Sequence, residues 1–155
     1  MIKHAFIVTS AINSKFGVFN PDQRLEQTIG TITSIKSKIP TAKIVIMECC
    51  GTPLTTEQAE QLKANSDYFI DYSKDPAVQA MYDNDNWDVV KNGTEIMCFG
   101  RVLQALQDAN ALDGVDRVHK MSGRYTLNDK FVPAFYEHEQ VKDKIVIEIL
   151  TSGAA

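Results

Sequence analysis

The chain has 155 residues, 44% apolar and 23% charged, which suits a single soluble domain, residues 1–155, with a core of its own. Its formal net charge of −4 argues against general nucleic-acid binding, which wants a basic face, though not against a small cationic pocket. No apolar run approaches the roughly 18 residues of a membrane span, and the apolar stretch before Thr9-Ser10 is too short for a signal peptide, so no membrane span and a cytoplasmic location are expected.

In chain order, residues 5–10 read as a buried strand. Asn20-Pro21-Asp22 then opens a helix, with Asn20 as N-cap and Pro21 at the first helical position. Leu25, Ile29, Ile32, Ile35 and Ile39 form one apolar stripe, and Pro40 ends it. Residues 43–49 make a second strand, apolar on both faces, as an interior parallel strand is. The Thr55-x-x-Gln58 spacing predicts a capped helix to about Ala64, and residues 67–72 a third strand. Residues 73–92 read as a long polar loop with at most a helical turn at 77–82, and such loops often carry function. Asn92-Gly93-Thr94-Glu95 then leads into a helix of about 95–110, with Ile96, Phe99, Leu103 and Leu106 on its buried face. Residues 116–121 make a fourth strand and 144–150 a last one. This alternation predicts an α/β fold: a three-layer sandwich with a mainly parallel, Rossmann-like sheet.

In such a sheet the strand carboxyl ends share one edge, where ligands bind. Thr9, Ser10, Glu48, Asp71 and the turn Ser122-Gly123-Arg124 all fall there. Thr9 and Ser10 can meet a base or ribose, and Glu48 and Asp71 can accept from ribose hydroxyls or a base amine. Arg124 and Lys120 suit a diphosphate, Arg as a bidentate fork and Lys as a point charge, and Arg24 is a second phosphate candidate. Structural alternatives stand beside these: Arg124 paired with Glu48 or Asp129, Lys120 turned away from the pocket, Arg24 a solvated helix residue.

Other chemistries lack their residues. There is no P-loop, no Gly-x-Gly-x-x-Gly, no Gly-x-Ser-x-Gly and no His-Glu-x-x-His. His4, His119 and His138 have no metal-ligand spacing, and His119 reads as a core or edge residue. Cys49, Cys50 and Cys98 fit neither a disulfide framework nor a zinc site and read as small core residues.

Taken together, three regions carry a resemblance. They are the first strand ending Thr9-Ser10-Ala11, the helix with Arg24 and Gln27-Thr28-Ile29-Gly30-Thr31-Ile32, and the second strand ending in Glu48. With the run His119-Lys120-Met121-Ser122-Gly123-Arg124-Tyr125, they resemble the nucleotide-sugar-binding half of glycosyltransferases with the A-type fold, over most of residues 3–130. The resemblance implies that a nucleoside-diphosphate sugar is bound: Thr9, Ser10, Glu48 and Asp71 at the nucleoside, and Arg24, Lys120, Ser122, Gly123 and Arg124 at the diphosphate. Family members carry an Asp-x-Asp metal motif after the fourth strand. Here that position reads Lys120-Met121-Ser122-Gly123-Arg124, so the expectation is cationic, metal-independent binding with no cofactor and no assigned catalytic residue. The alternatives are a non-catalytic structural or interaction protein, able to form a homo-oligomer through an edge strand, or an enzyme acting on another phosphate-bearing small molecule.

Overall fold

The computed structural model describes residues 1–146. Four strands, β1 (His4–Ser10), β2 (Lys43–Glu48), β3 (Tyr68–Asp71) and β4 (Arg117–Ser122), form one parallel sheet in the order β3-β2-β1-β4. The fold is therefore the α/β class that the alternation of elements predicts.

The central strands are apolar on both sides because both sides are covered. Helices α1 (Pro21–Lys38) and α2 (Thr56–Ala64) pack on one face, where Leu25, Ile32, Ile35 and Leu62 meet Phe6, Val8, Ile44 and Ile46. Helices α3 (Pro76–Tyr82) and α4 (Thr94–Asp108) cover the other, where Val78, Cys98, Val102 and Leu106 meet Ile7, Val45 and Met47. The caps form as their residue types require. Asn20 and Thr55 accept from the backbone of Gln23 and Gln58, whose side chains return to the cap N–H groups. All three cysteines are free and buried.

Three expectations are corrected, the last over its described residues. Residues 73–92 are not one loop: α3 is capped by Asp75, and helical structure resumes at Trp87 and runs through a π-helical turn, Val89–Gly93, into α4. The buried face of α4 is Thr94, Cys98, Val102 and Leu106, whereas Ile96 is 73% and Leu103 38% exposed. Apolar residues occupy more than one side of this helix, so periodicity alone cannot choose the face. The small Thr94 and Cys98 are the ones the sheet accommodates. Of the strand expected over 144–150, Lys144, Ile145 and Val146 are exposed and outside any strand, and the remainder lies outside the described residues.

At the amino end of the sheet, His4 on β1 joins His119 on β4 (Nδ1 to Nε2, 3.0 Å) and Glu137 of the short helix α5, Pro133–Glu137 (Nε2 to Oε1, 2.9 Å). His119 also stacks on Phe6, with ring centroids 4.4 Å apart. Burial, with His4 and Arg117 nearby, pushes its imidazole down to about 4, so this half-buried edge-strand histidine is neutral and does not line the cavity at the strand carboxyl ends.

Candidate functional site

A cavity of about 450 Å³ opens at the carboxyl ends of β1 and β4. Its position follows from the strand order. The chain leaves β1 for β2 through α1 on one face, and reaches β4 on the other side of β1 through α4 on the opposite face. The helices diverge between β1 and β4, and the crevice left at such a switch point is where open α/β sheets bind ligands.

Thr9 and Ser10 from β1 and Ser122 and Gly123 from β4 form the floor. Arg24 and Thr28 of α1 make one wall. The π-helical turn and the start of α4 make the other, with Val90, Lys91, Thr94 and Glu95. Phe16, Tyr82 and Trp87 supply aromatic surface.

The turn that presents Arg124 is anchored on both sides. The Gly123 N–H donates to the Thr9 carbonyl (2.8 Å), and a Cβ there would lie 2.8 Å from Thr28 Oγ1 and 3.0 Å from the Thr9 oxygen. Only glycine lets β4 close against β1 and α1 at this point. Gly123→Ala is expected to cost about 1–3 kcal/mol, read as a lowered urea midpoint, because neither the backbone oxygen nor the packed threonine can withdraw freely. On the far side Thr31 Oγ1 donates to the Tyr125 carbonyl (2.6 Å), and the Leu127 N–H donates to Ser34 Oγ (2.9 Å). Arg124 itself is exposed. Its Nε lies 3.5 Å from Ser122 Oγ, its guanidinium lies over the Tyr125 ring, and among the described residues it pairs with no carboxylate. Asp129 is taken by Lys38 at 2.8 Å.

Arg24 has two duties. Its Nε donates to the Phe19 carbonyl (3.1 Å) and its Nη2 to that of Phe16 (3.0 Å), bracing the loop that closes the cavity. Gly17 in that loop has φ +114°, and a Cβ there would meet Nη2 at 2.4 Å. The remaining guanidinium N–H groups leave Arg24 able to serve a ligand as well.

Thr9, Ser10, Arg24, Ser122, Gly123 and Arg124 are thus brought together; Glu48, Asp71 and Lys120 do not line the cavity. Glu48 is fully buried beneath it, accepting from Ser10 Oγ (2.6 Å), the Ile12 N–H (3.1 Å) and the Cys50 N–H (3.2 Å). It organises the turns after β1 and β2 and does not reach the cavity lining. Burial outweighs those three donors and pushes its carboxyl up to about 7. Asp71 ends the edge strand β3, separated from β4 by β2 and β1, and accepts from the Ser73 N–H (2.8 Å). Lys120 projects onto the α4 side, where its Nζ pairs with Glu95 Oε1 at 2.5 Å and sits over the Phe99 ring.

Among the lining residues that escape sequence reasoning are Glu95, Lys91, Asp85, Tyr82 and Trp87. The polar character of 73–92 marks that stretch as functional, but no motif shows that a π-helical turn would aim it at the cavity. Cys49 lines the cavity too, but its Sγ contacts the Ser10 carbonyl and burial holds the thiol well above its ordinary range, which makes it inert. Among the described residues no group of three or more His, Cys, Asp or Glu is arranged to hold a metal ion. No helix of the described residues is long and apolar enough to cross a membrane.

Comparisons of the chain with protein-family models, with curated proteins and with solved structures find no match.

Proposed function

We propose that this protein binds a nucleoside-diphosphate sugar in the β1–β4 cavity without a metal ion, and that it is a glycosyltransferase-like protein. The observation that carries the reading is Arg124. It is an exposed guanidinium with no carboxylate partner among the described residues, held between two anchored positions at the mouth of a switch-point cavity. Arg124 and Arg24 supply charge-assisted donors for the diphosphate, and Lys91 adds a third cation on the opposite wall. Phe16, Tyr82 and Trp87 offer apolar surface for a base, which a site for inorganic phosphate or a simple phosphate ester would not need.

Transfer would break the bond between the anomeric carbon and the diphosphate oxygen, with the electron pair leaving on that oxygen. Arg124 would stabilise the developing charge, the role a metal ion otherwise plays. An acceptor hydroxyl would form the new bond and release its proton to water or to the departing diphosphate.

Trp87 is the single tryptophan of the chain, lines the cavity and is 56% exposed, so its emission is a direct probe. Titration with UDP, GDP and ADP and their hexose conjugates is expected to change Trp87 fluorescence saturably, equally with EDTA or Mn²⁺. Saturation by inorganic pyrophosphate but by no nucleotide would favour a phosphate-ester site instead. No response to any of them, with calorimetry silent as well, would refute the proposal.

A further inference from the structure

The lining of the cavity is not uniformly cationic. Glu95 stands on the wall opposite Arg24, with its side chain 29% exposed. A carboxylate weakens a site meant only for anions, so its presence needs a reason. Its two oxygens differ. Oε1 takes the Lys120 ammonium at 2.5 Å and lies 3.5 Å from Thr9 Oγ1, whereas Oε2 accepts no hydrogen bond among the described residues. That oxygen is open to solvent and stays free to accept an O–H or N–H group.

We infer that Glu95 is the hydroxyl reader of this cavity: its Oε2 accepts from a sugar hydroxyl of the bound ligand, and Lys120 is the positioning residue that fixes the carboxylate for it. This deepens the proposed function and rests on it. Lys120 suits the positioning role because it lies outside the cavity lining and is already engaged by Glu95 and Phe99. Its ammonium neutralises Glu95, so the acceptor can sit in the same cavity as a diphosphate without repelling it. The cavity thus has Arg24 and Arg124 on one side and carboxylate acceptors, Glu95 beside Lys91 and also Asp85, elsewhere in its lining, which suits a ligand that carries both phosphate and hydroxyls. A ribose and a hexose present the same chemistry, and the probes separate them.

The test compares inorganic pyrophosphate, UDP and UDP-glucose, with the GDP and ADP pairs in parallel, on the parent protein, Glu95→Gln and Lys120→Met. Affinity is read from Trp87 emission and calorimetry, and folding from the thermal midpoint. Glutamine preserves the shape of the side chain and offers its carbonyl to Lys120, but turns the free oxygen into an N–H donor. Expected is a loss of about 10- to 100-fold for hydroxyl-bearing ligands, with pyrophosphate affinity unchanged or higher. A loss confined to the hexose conjugates assigns Glu95 to the sugar; a loss shared by the free nucleotides assigns it to the ribose. Lys120→Met is expected to reproduce the same split. Nucleotide affinities equal to the parent's in Glu95→Gln, or losses that track pyrophosphate, would overturn the inference while leaving the proposed function standing. A selective loss of pyrophosphate binding in Lys120→Met would instead make Lys120 a direct phosphate ligand and overturn its positioning role. A parent protein that binds no nucleotide at all would remove both readings.

Discussion

Glu48→Gln is expected to be more stable than the parent protein at pH 8 by on the order of 3 kcal/mol, and close to it at pH 4. Glu48 is fully buried, and its carboxyl is raised from 4.5 to about 7. A carboxyl with a raised value holds its proton more tightly in the folded state than in the unfolded one. Its contribution is therefore complete below pH 4.5 and is lost as pH rises through about 7. Glutamine copies the protonated acid: its carbonyl accepts from the Ile12 and Cys50 N–H groups, and its amide can donate to Ser10 Oγ. His119 works with the opposite sign. Its value is lowered from 6.5 to about 4, so its contribution is present above pH 6.5 and is lost as pH falls through about 4. Between pH 4.5 and 6.5 the two slopes oppose, and the parent should show a nearly flat profile. Glu48→Gln should unmask a rise with pH, and His119→Phe, which keeps a ring on Phe6, a fall with pH. Glu48→Ala removes the acceptor of three donors and opens a void, costing about 3–5 kcal/mol relative to the glutamine variant. Urea unfolding from pH 4 to 8 measures all of these; a pH profile left unchanged by Glu48→Gln would contradict the role given to the buried carboxyl.

Arg124→Ala is expected to weaken diphosphate binding by about 100-fold while leaving the thermal midpoint within a degree or two of the parent's. The loss corresponds to two charge-assisted hydrogen bonds from a planar fork at about 1.5 kcal/mol each. Stability is spared because the side chain is exposed and its protein contacts are a 3.5 Å approach to Ser122 Oγ and the Tyr125 ring. Arg124→Lys should recover only part of the affinity, since an ammonium restores the charge and not the fork. Arg24→Ala should behave differently. It also releases the Phe16 and Phe19 carbonyls, so affinity and stability should fall together. Calorimetric titration paired with thermal unfolding separates the two arginines. An Arg124→Ala variant that binds as tightly as the parent would remove this residue from the site.

The fold was legible because its signals are local. Asn20-Pro21, the Thr55-x-x-Gln58 box and the apolar second strand each specify an element from neighbouring residues. Topology alone gathers the ends of parallel strands, and Thr9, Ser10 and Ser122-Gly123-Arg124 do lie together at one cavity. Glu48 shows where that reasoning stops. Lying at a strand end says nothing about whether a side chain points up into the crevice or down onto the chain's own turns, and the free N–H groups of Ile12 and Cys50 captured it. Asp71 shares the edge of the sheet but not the switch point, because β3 lies on the outer flank of β2. Glu95 was hidden for a different reason. Asn92-Gly93-Thr94-Glu95 resembles a helix start, whereas the chain is already helical there and the π-helical turn, a feature without a simple sequence signature, sets the direction in which α4 presents its first residues.

We propose metal-independent recognition of a nucleoside diphosphate at the β1–β4 switch point. Its most direct test is isothermal titration of the parent protein in EDTA with UDP, GDP and ADP and their hexose conjugates, repeated on Arg124→Ala. One saturable site for at least one nucleotide is expected, unchanged when Mn²⁺ replaces EDTA and weakened about 100-fold by the substitution. Binding that appears only with Mn²⁺, or no binding of any nucleotide at millimolar concentration, would contradict it.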